Sequence, residues 1–160
     1  MAEMKHDLDF TINDKEFSKI LVAIDEDDSQ SSIQAFQYAC VRAKNLNVPL
    51  GIVSIMEIAE LNIFESLDKY ALNNRRENLL ANIEAYIEKA QAYGVQQVQG
   101  FIGEGLPGEQ IVTNILPKYQ PDLLVCGSKT KANKPQKKMF LGSQASYLAQ
   151  NASCSVIVIR

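Results

Sequence analysis

A chain of 160 residues has the length of one domain and enough material for a sizeable core. Its apolar content of 46% and charged content of 22% are ordinary for a globular protein, and no apolar run approaches the ~20 residues of a membrane span. A net charge of −3 gives no general attraction to nucleic acid or to membranes, and three cysteines without a CxxC pair, beside a single histidine, exclude the familiar zinc frameworks.

Residues 1–16 are polar and aperiodic and read as an extension, with the domain proper over 17–160. Met1–Asp9 holds no apolar signal-peptide core, so a cytoplasmic protein is expected. Cys40, Cys126 and Cys154 each sit in an apolar run and read as buried free thiols of a reducing compartment. Ile20–Ile24 is a continuous apolar run, the pattern of a strand covered on both faces. Asp27–Ser32 offers several side-chain oxygens that can cap a helix. Ile33, Phe36, Cys40, Ala43 and Leu46 then recur at helical spacing. Pro49–Ile55 predicts a second buried strand, and Met56–Ala71, apolar in patches, a flap or short helix.

Leu79, Leu80, Ile83, Tyr86, Ile87, Ala90 and Tyr93 predict one apolar face of a long helix, which Gly94 stops. Val95–Ile102, interrupted by glutamines, predicts a strand with a wetter face near a sheet edge. Pro107 follows Gly105 at the start of a helix that carries Ile111, Val112, Ile115 and Leu116. Asp122–Gly127 is a short buried strand, Ser143–Asn151 a helix, and Cys154–Ile159 a last strand. Alternating strands and helices with short connections imply a single-domain α/β fold, a parallel sheet with helices on both faces. Ligands of such sheets lie beyond the carboxyl ends of the strands, where the strand order reverses. Asp25, the segment after Ile55, and Gly127-Ser128 fall on that rim.

A strand ending at Gly127-Ser128 and a helix opening at Gly142-Ser143 both suggest backbone N–H groups turned toward an anion. Between them lie Lys129, Lys131, Lys134, Lys137 and Lys138 with no acid, so phosphate is the expected ligand chemistry, although a solvated loop accounts for the same lysines. The glycines have a packing explanation as well, as strand exit and helix cap. Val53 and Ile55 are candidates for an apolar wall against a base, or plain core. No nucleophile–base–orienter set is visible, because the only histidine is in the extension.

Ile20–Asp25 with Ser29 and Ser32, Gly105-Leu-Pro107-Gly-Glu109-Gln-Ile111, Asp122–Ser128, and Leu141-Gly142-Ser143 ahead of Val156–Val158 together resemble the universal stress protein family, from about Phe17 to Arg160. The resemblance implies a five-stranded Rossmann-like parallel sheet of the adenine nucleotide α-hydrolase type, in the order 3-2-1-4-5. It also implies homodimers paired through the last strand, and a regulatory role in stress response without catalysis beyond slow ATP hydrolysis. By the same resemblance, nucleotide contacts fall to Asp25, Val53, Gly127, Ser128, Thr130, Gly142, Ser143 and Gln144, with ATP, with or without Mg²⁺, as ligand; the charge of the loop itself makes Lys129, Lys131, Lys137 and Lys138 the candidate phosphate contacts.

One branch of the family binds ATP through Gly-x-x-Gly, nine residues, then Gly-Ser/Thr, and the other does not hold nucleotide. Here Thr130 replaces the second glycine, and eleven residues separate it from Gly142. Aligned on Ser29, the turn Asp25–Ser29 holds two more residues than the family's Asp-Gly-Ser, both acidic. Asp27 and Asp28 suit either the dipole of the following helix or a triphosphate's Mg²⁺. The alternative function is a dimeric interaction scaffold that binds no nucleotide.

Overall fold

The structure is a computed structural model that describes residues 7–58, 68–129 and 142–160. Its elements in chain order are β1 (Ile20–Ala23), α1 (Gln30–Leu46), β2 (Leu50–Glu57), α2 (Lys69–Tyr93) and β3 (Val98–Gly105). Then come α3, which starts at Pro107–Gln110 and continues to Tyr119, β4 (Leu123–Gly127), α4 (Ser143–Asn151) and β5 (Ser155–Ile159). All five strands are parallel, in the order β3-β2-β1-β4-β5. The chain moves outward from β1 to β3, returns to β4 on the other side, and so reverses between β1 and β4.

Three of the four side chains of β1 are shut off from water: Ile20, Leu21 and Val22 are fully buried and Ala23 partly so. Its alternation divides the core. Ile20 and Val22 pack with Ala35, Phe36, Ala39, Ile52 and Ile83 beneath α1 and α2. Leu21 packs with Val53, Phe101, Ile111, Tyr119 and Leu148 beneath α3 and α4. Each fully buried aliphatic side chain contributes roughly 1.5–3 kcal/mol, which fixes the strand's register in both layers.

Helix ends follow their local chemistry. The Ser29 hydroxyl caps α1 by accepting from Ser32 N–H at 3.3 Å. Gly94 ends α2 at φ 123°, in the region where only glycine is unstrained. Val95 N–H then donates back to the Ala90 carbonyl at 3.1 Å, and the Val95 side chain is buried. Val95 therefore belongs to the helix stop, and β3 starts three residues later than the apolar pattern implied. β3 does lie at a sheet edge. Gly100 there makes room for Ile83 and Ile87 of α2, and Glu104 pairs with Arg76. On α2, Leu80 and Tyr93 turn out exposed, off the predicted stripe. Residues 59–67 of the expected flap lie outside the described residues, while Met56 and Glu57 extend β2.

α3 runs through a proline. Its middle, Ile111–Ile115, is a π-helical stretch, and Leu116 N–H reaches the Ile111 carbonyl. Pro117 has no N–H to give and would press on the carbonyl of residue 113 in a regular helix; the wider turn just before it relieves both problems.

At the opposite end of the sheet from the ligand rim, the Asp122 carboxylate accepts from Ser18 N–H at 2.8 Å, Ser18 Oγ at 2.9 Å and Lys19 N–H at 2.9 Å. This clamp fixes where the chain enters β1. Upstream, Phe17 packs on the core and Glu16 pairs with Arg42 at 3.0 Å, whereas Leu8, Phe10 and Ile12 are exposed. Cys40 and Cys126 are buried as expected, and Cys154 is partly exposed.

Candidate functional site

Three segments meet where the strand order reverses: the turn after β1, the tip of β4, and the first turn of α4. Close backbone approach brings them together. A Cβ on Gly127 would lie 2.6 Å from the Ser31 carbonyl carbon and 2.8 Å from its oxygen, so β4 ends directly under the start of α1. A Cβ on Gly142 would lie 2.7 Å from the carbonyl oxygens of both Ser128 and Lys129. Gly142 N–H donates to the Ser128 carbonyl at 2.8 Å, which docks α4 on the strand tip. Both glycines are therefore required by packing, independently of any ligand.

The N–H groups of the strand tip, expected to face an anion, are engaged within the protein. Ser128 N–H donates to the Ile159 carbonyl at 2.7 Å, and Lys129 N–H to Ser31 Oγ at 3.0 Å. Ser128 itself is buried. The first turn of α4 is different. Ser146 N–H closes the first helical bond on the Gly142 carbonyl, so the N–H groups of Ser143, Gln144 and Ala145 have no partner within the helix. The positive end of the helix dipole lies there too. Ser143 is exposed at this end. The Gln144 side chain faces away in function: its Oε1 accepts from Gly108 N–H at 2.7 Å and ties α4 to the start of α3. Val53 is fully buried, in register between Ala23 and Phe101, and its side chain is core, not an accessible wall.

Every carboxylate of the turn after β1 has a partner. Asp25 accepts from the Ser29 hydroxyl, and its N–H donates to Ser32 Oγ at 2.8 Å. Glu26 forms a two-point pair with Arg75, which also donates to the Glu57 carbonyl at 2.8 Å. Asp28, in the left-handed region at φ 51°, accepts from Tyr86 OH at 2.8 Å and Asn82 Nδ2 at 3.1 Å. The extra acidic residues thus latch the turn onto α2. Sequence reasoning missed this, reading Tyr86 as packing alone; Tyr86 also stacks edge-on against Phe36 at 4.7 Å. Burial first, then the Asp28 hydrogen bond, pushes the Tyr86 hydroxyl pKa up, so it stays a donor.

Lys129 is the one site lysine among the described residues. Its Nζ is 3.2 Å from Asp27 Oδ1 and 4.0 Å from Asp25 Oδ2. Burial opposes its charge, but Asp25, Asp27 and Glu57 outweigh burial and raise its pKa, keeping it a cation. Thr130, Lys131, Lys134, Lys137 and Lys138 lie outside the described residues. Burial, then the charge of Asp25, raises the Cys126 thiol to about 11, leaving it neutral beside Gly127. Among the described residues no group of three His, Cys, Asp or Glu side chains is placed to hold a metal ion, and no helix is long and apolar enough to cross a membrane.

The model of the universal stress protein family matches residues 16–160. The chain belongs to the universal stress protein family. A Staphylococcus aureus (strain USA300) sequence assigned to the same family is 24% identical over 144 residues, covering 90% of this chain and 84% of that one. The universal stress protein UspA from Lactobacillus plantarum has the same fold, with a TM-score of 0.75 at 23% identity over 92% of this chain and 100% of that chain. A universal stress protein from Archaeoglobus fulgidus, solved in complex with dAMP, aligns with a TM-score of 0.61 at 16% identity, covering 89% of this chain and 98% of that one. This chain has the Rossmann-like sheet in the order 3-2-1-4-5, and its alignment with UspA spans that sheet.

Proposed function

We propose that this universal stress protein is a cytoplasmic, nucleotide-responsive regulatory module that holds an adenine nucleotide, ATP or a relative, on the rim between β1 and β4 without turning it over quickly. The observation that carries the reading is the first turn of α4. Three N–H groups without helical partners lie there, on a helix docked on the β4 tip through Gly142, and Lys129, which follows that tip, carries its ammonium to the Asp25 turn. A phosphate suits that position and Asp25 suits the ribose or base end. That a family member from Archaeoglobus fulgidus was solved with dAMP supports an adenine nucleotide as the class. Mg²⁺ enters this reading only as a companion of a triphosphate.

The direct test uses freshly purified protein. Heat denaturation followed by anion exchange should release ATP or ADP near one per chain, and millimolar nucleotide should raise the melting temperature. Ser143→Pro sharpens it. Proline is tolerated at the first helical position, and Gly142 at φ −57° and ψ 155° already has the geometry that precedes a proline. The substitution removes one N–H and leaves the helix start in place. Affinity should fall about tenfold, which is about 1.4 kcal/mol, with an unliganded melting temperature close to that of the parent. Undiminished binding would place the phosphate elsewhere.

A second reading, the dimeric scaffold, is favoured by β5. It is the other edge of the sheet, and Val156, Ile157, Val158 and Ile159 are each only partly buried. An apolar edge strand is a template for pairing with another chain, so we expect homodimers through β5. Sedimentation should show dimer at tens of micromolar and monomer for Ile157→Lys. A monomeric parent protein would count against the pairing. Dimers without any bound or bindable nucleotide would favour the scaffold.

A further inference from the structure

Asp27 and Lys129 stand on opposite sides of the rim, and their pairing has consequences for any anion that enters. The Lys129 main chain is fixed from two directions: its N–H donates to Ser31 Oγ at the start of α1, and its carbonyl lies against Gly142 at the start of α4. With φ at 33° the residue is in the left-handed region, and its side chain runs to the β1–α1 turn. There the ammonium meets Asp27 at 3.2 Å and Asp25 at 4.0 Å.

The other two acids of the turn are committed elsewhere, Glu26 to Arg75 and Asp28 to Tyr86 and Asn82. Asp25 is held by Ser29. Asp27 has Lys129 alone as a partner among the described residues, and its side chain is 66% exposed, with Lys129 at 48%. An ion pair that exposed is weak and exchanges readily. A phosphate oxygen offers the same ammonium a stronger, more highly charged acceptor.

We propose that Asp27 is a built-in competitor for the phosphate. It holds the Lys129 ammonium in the geometry seen here, and an arriving phosphate at the first turn of α4 takes that ammonium over, so the Asp27–Lys129 pair sets the affinity of the site. This rests on the phosphate position argued under Proposed function and adds the residue pair that regulates it. Removing the competitor tightens binding. Removing the lysine weakens binding and also makes the competitor irrelevant.

The test is a double-mutant cycle on the full chain: parent, Asp27→Asn, Lys129→Met and the double variant, titrated with ATP and separately with inorganic tripolyphosphate at fixed salt. Expected are affinity about fivefold tighter for Asp27→Asn and about tenfold weaker for Lys129→Met. In the Lys129→Met background, Asp27→Asn should gain less than twofold. An equal gain in both backgrounds would show that Asp27 acts only as a distant charge, and no gain or a loss would show that it orders the turn; either overturns the inference. The two probes separate this inference from the one beneath it. The same ranking with tripolyphosphate but no ATP binding overturns the nucleotide reading and keeps the Asp27–Lys129 competition. Binding of neither probe by any of the four proteins overturns both.

Discussion

Gly127→Val should be the most damaging single change at the rim, lowering stability by roughly 3 kcal/mol, the upper part of the range for overpacking. For a chain of this size that corresponds to a fall in melting temperature of about 6–12 °C. The cause is steric. The added Cβ would come within 2.6–2.8 Å of three Ser31 atoms, two of them backbone at the start of α1. Backbone there has no slack, because Ser29 and Ser32 hold the same turn through hydrogen bonds to each other and to Asp25. The strand tip or the helix must shift, and movement of the tip carries Ser128 away from Gly142. Thermal unfolding by circular dichroism measures the loss. A Gly127→Val protein with the parent's melting temperature would show that the junction is pliable, and would return Gly127 to the role of a ligand-contact glycine.

Asp122→Ala should cost roughly 2–3 kcal/mol at neutral pH, because three hydrogen bonds that fix the entry to β1 disappear at once. The loss depends on pH with a definite sign. Burial alone would raise the pKa of Asp122, but the N–H groups of Ser18 and Lys19 and the Ser18 hydroxyl outweigh it and hold the carboxyl below its ordinary range. A depressed carboxyl contributes stability that is fully present above the unfolded-state value, about 4, and is lost as the pH falls through the folded value. Denaturant unfolding of the two proteins should therefore differ most at pH 6–8 and converge toward pH 2–3. A gap between them that stays constant down to pH 3 would mean that the carboxylate is not the acceptor described.

Most of the architecture is legible in the sequence because parallel strands covered on both faces leave unbroken apolar runs. Ile20–Ile24 and Asp122–Gly127 are of this kind, and the strand at each matches the run. β3 is harder to place because an edge strand is only half buried, and the buried Val95 that appears to begin it serves the α2 stop instead. The π-helical stretch of α3 was not readable either: Pro117 announces a disturbance, but its place in the helix depends on which side chains the core accepts.

At the rim, the glycines are visible in the sequence while their cause is not. Composition cannot tell a glycine that makes room for Ser31 from one that makes room for a phosphate. Gln144 reads as a ligand contact, and the sequence does not show that its side chain also braces Gly108, since that partner is 36 residues away. The acidic latch is missed for the same reason. Glu26 and Asp28 look like solvated turn residues until α2 places Arg75, Asn82 and Tyr86 against them.

The two margins of the sheet are unequal, and that bears on how far assembly can proceed. β3 is interrupted by Gly100 and Gly103 and carries Glu104 in an ion pair, poor material for adhesion, whereas β5 is a run of branched aliphatic side chains. If two copies join through β5, as proposed above, each would consume the sticky margin of the other and present the unfavourable one outward. Growth would then terminate at a closed pair with twofold symmetry, and the open-ended fibre available to a sheet with two adhesive borders would be denied.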